Sequence, residues 1–216
     1  MEQRYTPEEE RWNWITHAAG IVLGIAASCF IIFRYFPETG LLGRFSLLLY
    51  MAGLLASYIS STAYHACPPS SPWKARLRQC DHAAIYWHIA GSYSPVTLIA
   101  MRDSGAWGWT IFGIIWGCAV LGTALSFRKM KKINHLSTVC YVIMGLLILI
   151  AFRPLMAAVP LSVVLWIVAE GVMYITGAVF YSIYRKKYLH TVFHIFVLGG
   201  TVCHLTAVCL MLETCL

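Results

Sequence analysis

Apolar residues run along this chain in long stretches with no regular polar face, and short clusters of Pro, Gly and charge cut the stretches apart. Each stretch reaches the roughly 20 residues that a helix needs to cross about 30 Å of hydrocarbon. A window of about 19 residues finds seven of them, near 15–33, 45–66, 82–101, 107–127, 133–152, 161–184 and 190–212. Breakers such as Phe36-Pro37-Glu38-Thr39-Gly40 and Cys67-Pro68-Pro69-Ser70-Ser71-Pro72 lie between them, and such clusters end helices. The pattern predicts an all-α fold: one integral membrane, seven-transmembrane helix bundle over residues 1–216, without repeats or low-complexity tracts and with no connector long enough for a soluble domain.

Composition agrees with the pattern. The chain is 59% hydrophobic and 12% charged, whereas soluble domains average about 45–50% and about 25%. Its net charge of +7 reads as topology. With the N-terminus cytoplasmic, the inner segments hold Arg4, Arg11, Lys74, Arg76, Arg78, Arg128, Lys129, Lys131, Lys132, Arg185, Lys186 and Lys187, leaving Arg34, Arg44, Arg102 and Arg153 outside. Positive charge collects on the cytoplasmic side of membrane proteins, so the expectation is N-terminus in, C-terminus out, in the cell membrane, with some attraction to anionic lipid. Nucleic acid is not an expected partner, because that requires a clustered basic face on a soluble module. Glu8, Glu9 and Glu10 precede the first span where a signal peptide carries positive charge, so that helix is expected to be retained.

The polar residues inside the spans carry the candidate chemistry. His190-Thr191-Val192-Phe193-His194 puts two imidazoles four residues apart on one face of the last helix. An unpaired polar ring in hydrocarbon costs several kcal/mol or so, which makes intramembrane ionisable residues functional candidates by default. His65 at the inner end of the second span and Asp81 at the inner start of the third fall at the same depth. Three neutral imidazoles with one open position form the usual catalytic zinc arrangement, in which bound water is acidified to a pKa of about 7. The expected metal ligands are therefore His65, His190 and His194, with Zn2+ favoured over magnesium or calcium, which prefer oxygen ligands. His17 and His135 lie at a similar level and remain further candidates.

Ser61, one turn before His65, and Asp81 are the expected catalytic residues: the serine hydroxyl toward the metal-bound water or a ligand, the carboxylate as general base on that water. Each has a plainer alternative. Ser61 can bond back to the carbonyl four residues earlier, Asp81 can cap the third helix, and the histidines can pack as neutral hydrogen-bonding residues. His204 lies ten residues beyond His194, about 15 Å along the helix, too far to share its ion, and is expected to bond between helices. His82 and His88 are expected to pack or line the bundle. Glu170 lies deep in the sixth span and is expected in a cavity or paired. The eight cysteines contain no CxxC pair and read mostly as packing residues, with Cys67 and Cys80 flanking the first inner loop.

Several runs together resemble a known family. Glu10-x-x-Asn13-x-x-Thr16-His17, Ser61-x-x-x-His65, Asp81 with Gly91 and Pro95, and His190-x-x-x-His194 resemble the progestin and adipoQ receptor superfamily. Tyr141 to Gly145 and Phe196 to His204 resemble its bacterial hemolysin-III branch, so the likeness runs from about Glu10 to about Leu212. It implies a seven-helix barrel with zinc near the cytoplasmic side on His65, His190 and His194, and Asp81 and Ser61 close to the metal-bound water. It also implies kinship with alkaline ceramidases and a zinc-dependent lipid amidase activity. The N-terminal segment of about 14 residues offers no domain for hormone or signalling partners, which lowers the receptor reading.

Three functions follow as expectations: a zinc-dependent hydrolase of membrane lipid amides or esters; a non-enzymatic homeostasis or lipid-sensing protein whose zinc is structural; and a cytolysin. Seven nearly wholly apolar helices argue against the third, since a secreted pore former must be soluble first. A lipid-width cavity reaching an open ligand position separates the first from the second.

Overall fold

A computed structural model describes residues 5–128, 136–183 and 186–216. His135, the start of the fifth expected span, Tyr184, and the basic residues Arg4, Lys129, Lys131, Lys132 and Arg185 lie outside them. The described residues are helical, with no strand among them: α1 (Pro7–Tyr35), α2 (Leu41–Ala66), α3 (Lys74–Pro95), α4 (Trp107–Ser126), α5 (Leu136–Leu146), α6 (Phe152–Ala158), α7 (Leu161–Ser182) and α8 (Leu189–Cys215). A π-helical turn (Val96–Ala100) follows α3, and a 3-10 turn (Leu147–Ala151) joins α5 to α6. The helices pack largely in chain order, α2 on α3 and α7 on α8 most extensively, and α8 returns against α1.

Six helices, counting α5 to α6 as one, are long and apolar enough to cross a membrane. The third expected span is different. Its helix begins at Lys74 rather than at His82, with Trp73 at the N-cap, and Ser71 Oγ accepts the Trp73 N–H at 3.2 Å. Asp81 consequently lies two turns inside α3 and caps nothing. A hydropathy window misses this start because Lys74, Arg76 and Arg78 occupy the first turns, and because α3 buries His88, Ser92 and Ser94 against its neighbours.

Inward faces carry the small and polar residues beside a buried apolar core that includes Leu47, Leu54, Ile111, Ile115 and Met211, and outward faces are largely apolar. In α1 the buried stripe is Glu9, Asn13, His17, Gly20, Gly24, Ser28, Ile31 and Tyr35, the spacing of one helical face. Val22, Phe30 and Phe33 point outward, where hydrocarbon replaces water. A capping box sets the start of α1: Thr6 and Glu9 satisfy each other's backbone N–H groups, with Pro7 in the first turn.

The fifth expected span is not one continuous helix. Tyr93 of α3 places its hydroxyl 2.9 Å from the Met144 carbonyl and 2.8 Å from that of Gly145, and accepts the Ile148 N–H at 3.0 Å. An inserted side chain that takes over ladder partners breaks a helix, and α5 stops there.

Candidate metal centre

Four helices, α1, α2, α3 and α8, build the site at one end of the bundle. Pro68 and Pro69 stop α2 just after His65, leaving its last carbonyls without helical partners. The buried ammonium of Lys74 takes two of them, donating to Tyr64 O at 2.7 Å and Cys67 O at 3.0 Å. Its third bond, at 3.0 Å, goes to Glu10 Oε1 of α1. The other Glu10 oxygen accepts from His65 Nδ1 at 2.5 Å. The start of α8 is tied to the same helix: Glu9 Oε1 accepts the Tyr188 N–H at 3.0 Å, holding Tyr188 at φ 62, a left-handed conformation costly to a side chain. Thr191 donates to Asn13 Oδ1 at 2.6 Å.

These ties bring His65, His190 and His194 together, with one ligand atom from each within 4.8 Å of the others. The His190 Nε2 is 3.2 Å from His65 Nε2 and 3.0 Å from His194 Nε2. Their bonding networks assign the tautomers. A carboxylate only accepts, so His65 carries its proton on Nδ1. His194 Nδ1 faces the Asn13 carbonyl at 3.1 Å and Thr16 Oγ1 at 3.2 Å. The Thr16 hydroxyl is occupied in donating to the backbone, so His194 also carries its proton on Nδ1. Both rings thus turn bare Nε2 lone pairs toward His190, which has at most one proton to offer between them.

Such a trio is unfavourable for three neutral rings and suited to a cation. Nitrogens around a tetrahedral ion at 2.0–2.1 Å would lie about 3.3–3.4 Å apart, close to the two separations that His190 makes. Metal-bound histidines almost always donate their other N–H to a carboxylate or a carbonyl, the partners His65 and His194 have here. The cluster can hold a metal ion. A small cleft of about 210 Å³ reaches it from outside, lined in part by Glu10, Arg11, Trp14, His65 and Cys67.

The remaining expected residues sit at different distances from this centre. Ser61 is buried one turn before His65, and among the described residues it is Ser60, not Ser61, that bonds back to Ser57 O, at 3.1 Å. Asp81 is largely buried, 3.8 Å from its neighbour His82, and is not among the donors gathered with the three histidines. His17 stacks on His194 with centroids 3.6 Å apart, both its ring nitrogens buried and without a hydrogen-bond partner. Cys67 edges the cleft, and neither it nor Cys80 joins the cluster. Sequence reading gave Glu10, Asn13, Thr16 and Lys74 no contact with the histidines. The available signal was the spacing of Glu10, Asn13 and His17 on one face of α1.

Fold and site define a multi-pass helical membrane protein with a buried trihistidine cluster. The particular family follows from comparison. A family model described as haemolysin-III related matches residues 5–205, and this chain belongs to that family. It is 33% identical to Hemolysin-3 of Bacillus cereus over 90% of this chain and 87% of the relative. It is 33% identical to the Hemolysin-3 homolog of Bacillus subtilis over 91% of each. The human monocyte to macrophage differentiation factor is 27% identical over 95% of this chain and 86% of its own length, in keeping with the wider progestin and adipoQ receptor superfamily. The protein is a multi-pass protein of the cell membrane.

Proposed function

We propose that this chain is one seven-helix membrane domain, N-terminus cytoplasmic and C-terminus outside, that binds zinc through His65, His190 and His194 near the cytoplasmic face and hydrolyses a lipid amide or ester there. The observation that carries the reading is the pair of bare Nε2 lone pairs converging on His190, a donor set that fits zinc. α3 is the seventh membrane helix: it is polar because it is interior, and α2 and α4 pack against it. The excess of Lys and Arg in the segments expected inside supports a cytoplasmic trihistidine end.

Zinc, when bound, supplies a Lewis acid for the scissile carbonyl and lowers the pKa of a coordinated water to about 7. The chain's own residues do the rest. Glu10, clamped by Lys74, and the Asn13 carbonyl with Thr16 hold His65 and His194 in the tautomer that points Nε2 inward. Asp81, on the second turn of α3, accepts the proton released on attack and returns it to the leaving group. Ser61 orients the carbonyl from the His65 face. Membrane lipid is the substrate class the setting favours, because the long apolar helices keep this chain in the bilayer and apolar side chains cover most of their outward faces.

One observation favours a second reading, in which zinc only staples α2 to α8 in a homeostasis or lipid-sensing protein. The cleft of about 210 Å³ is smaller than the roughly 300–1,000 Å³ of small-molecule sites. The Bacillus relatives are named hemolysins, but a chain this apolar cannot travel through water to a target cell, so lysis is the least supported function.

Turnover of fluorescent ceramides and acyl amides by the purified protein, with Asp81→Ala alongside, separates these readings. Hydrolysis that falls by about 10²–10⁴-fold in the variant, with zinc retained, is the expected result. Zinc without turnover in either protein would move the assignment to the structural staple.

A further inference from the structure

A second set of polar groups lies in the middle of the bundle, away from the three histidines. Glu170 of α7 and His204 of α8 form a pair, with His204 Nδ1 2.7 Å from Glu170 Oε2 and both side chains largely buried. The other ring nitrogen, His204 Nε2, has no hydrogen-bond partner, and neither has the buried hydroxyl of Tyr50, whose ring meets the His204 ring edge-on at 5.1 Å. Two unpartnered polar atoms beside a buried carboxylate–imidazole pair mark a place where a proton or a water has work to do.

A line of hydroxyls and imidazoles joins this pair to the trihistidine end. One turn along α7 and α8 from Glu170 and His204 lie Tyr174 and Thr201, with Tyr174 OH 3.3 Å from Thr201 Oγ1 and 3.3 Å from His88 Nε2 of α3. Thr201 Oγ1 is also 2.7 Å from the Tyr58 hydroxyl of α2. The Tyr58 ring meets His17 edge-on at 5.2 Å, and His17 stacks on His194. Beyond His204, Ile31, Leu47, Val208, Met211 and Leu212 are fully buried and apolar, and the next hydrogen-bonded pair on that side is Tyr35 with Glu213, at 2.9 Å. The hydroxyls that Tyr58, Thr201 and Tyr174 bring within hydrogen-bond distance of one another and of His88 all lie on the trihistidine side of the pair.

We propose that Glu170 and His204 form a proton-binding site inside the bundle, loaded from the trihistidine end through Tyr58, Thr201, Tyr174 and His88. Every group in the column can accept one proton and release another, with no group oxidised or reduced, so a proton entering at Tyr58 leaves as a proton on the Glu170–His204 pair. The titratable groups facing the pair are Tyr50 from α2, His88 and Tyr93 from α3, Tyr174 on α7 and Cys203 on α8, with Tyr58 and Cys209 next to Tyr50. None is a permanent charge. A proton gained by the pair changes its net charge by one in a region that water does not screen, and ionisable residues so placed mark proton relays. Because the two members share the proton, it belongs to the pair rather than to either residue.

Infrared difference spectra of the purified full-length protein across a pH jump test this. The expected result is a protonated-carboxyl band that appears on acidification in the parent protein and is absent in Glu170→Gln. Its rise should slow by about a hundredfold when Thr201→Val and Tyr174→Phe are combined, the loss expected on removing positioned proton-transfer groups. His190→Ala with His194→Ala should leave the band in place, so failure of the metal assignment and failure of this one are distinguishable. A spectrum with no pH-dependent band lost in Glu170→Gln would overturn the proton site. An unchanged rise in the Thr201→Val, Tyr174→Phe protein would overturn the relay.

Discussion

At the scale of single residues, the trihistidine cluster depends on groups that never touch a metal. The Glu10 carboxylate, the Asn13 carbonyl and the Thr16 hydroxyl decide which nitrogen of each ring is bare. Replacing Glu10 with Gln keeps the shape and removes the charge that His65 Nδ1–H meets, so zinc affinity should fall by about 10–100-fold, measured by competition with a chelating dye. Unchanged affinity would mean that Glu10 serves Lys74 and the end of α2 alone. The three histidines were legible in the sequence: His190 and His194 are one helical turn apart, and His65 falls at the same depth. Their supporting residues were not, because a bond such as Glu10 to His65 joins positions 55 apart and leaves no periodic trace. Glu170 and His204 were each legible as buried ionisable residues, yet their pairing depends on the rotation of α7 against α8, which hydropathy does not encode.

At the scale of helices, the sequence reading found the long apolar elements and missed what interrupts them. The end of α2 was plain from Pro68 and Pro69. The true start of α3 was hidden by its basic first turns, and the break after α5 by a run that stays apolar through Leu146 and Ile150. That break follows from a tyrosine of another helix. Tyr93→Phe should leave the 144 and 145 carbonyls and the 148 N–H without their partner, at about 1–3 kcal/mol. A lower midpoint of thermal unfolding in detergent, with zinc content unchanged, is the expected outcome. An unaltered midpoint would mean that water or a re-formed helical turn satisfies those groups equally well.

Across the whole molecule the outer surface is as apolar as the core: Val22, Phe30, Phe33, Leu121 and Ile150 face outward, and the interior mixes apolar residues such as Leu54 and Ile115 with buried polar ones such as His17, His88 and Ser94. Hydropathy therefore reports the surface of this protein well and its interior poorly, which is why the fold class was legible while the polar column along α8 was not. The proposed seven-helix topology has its own check. In single-cysteine variants of intact cells, an impermeant maleimide should label Cys215 at the end of α8 directly, and Cys67 beside the trihistidine cleft only after permeabilisation. The reverse pattern would invert the bundle and place the cluster outside. The metal remains the central matter, and the metal content of the detergent-purified chain by mass spectrometry addresses it most directly. One zinc per chain is expected in the parent protein and in His204→Ala, and none when His190→Ala and His194→Ala are combined. A parent protein without zinc, or a double variant that keeps it, would contradict the assignment of His65, His190 and His194.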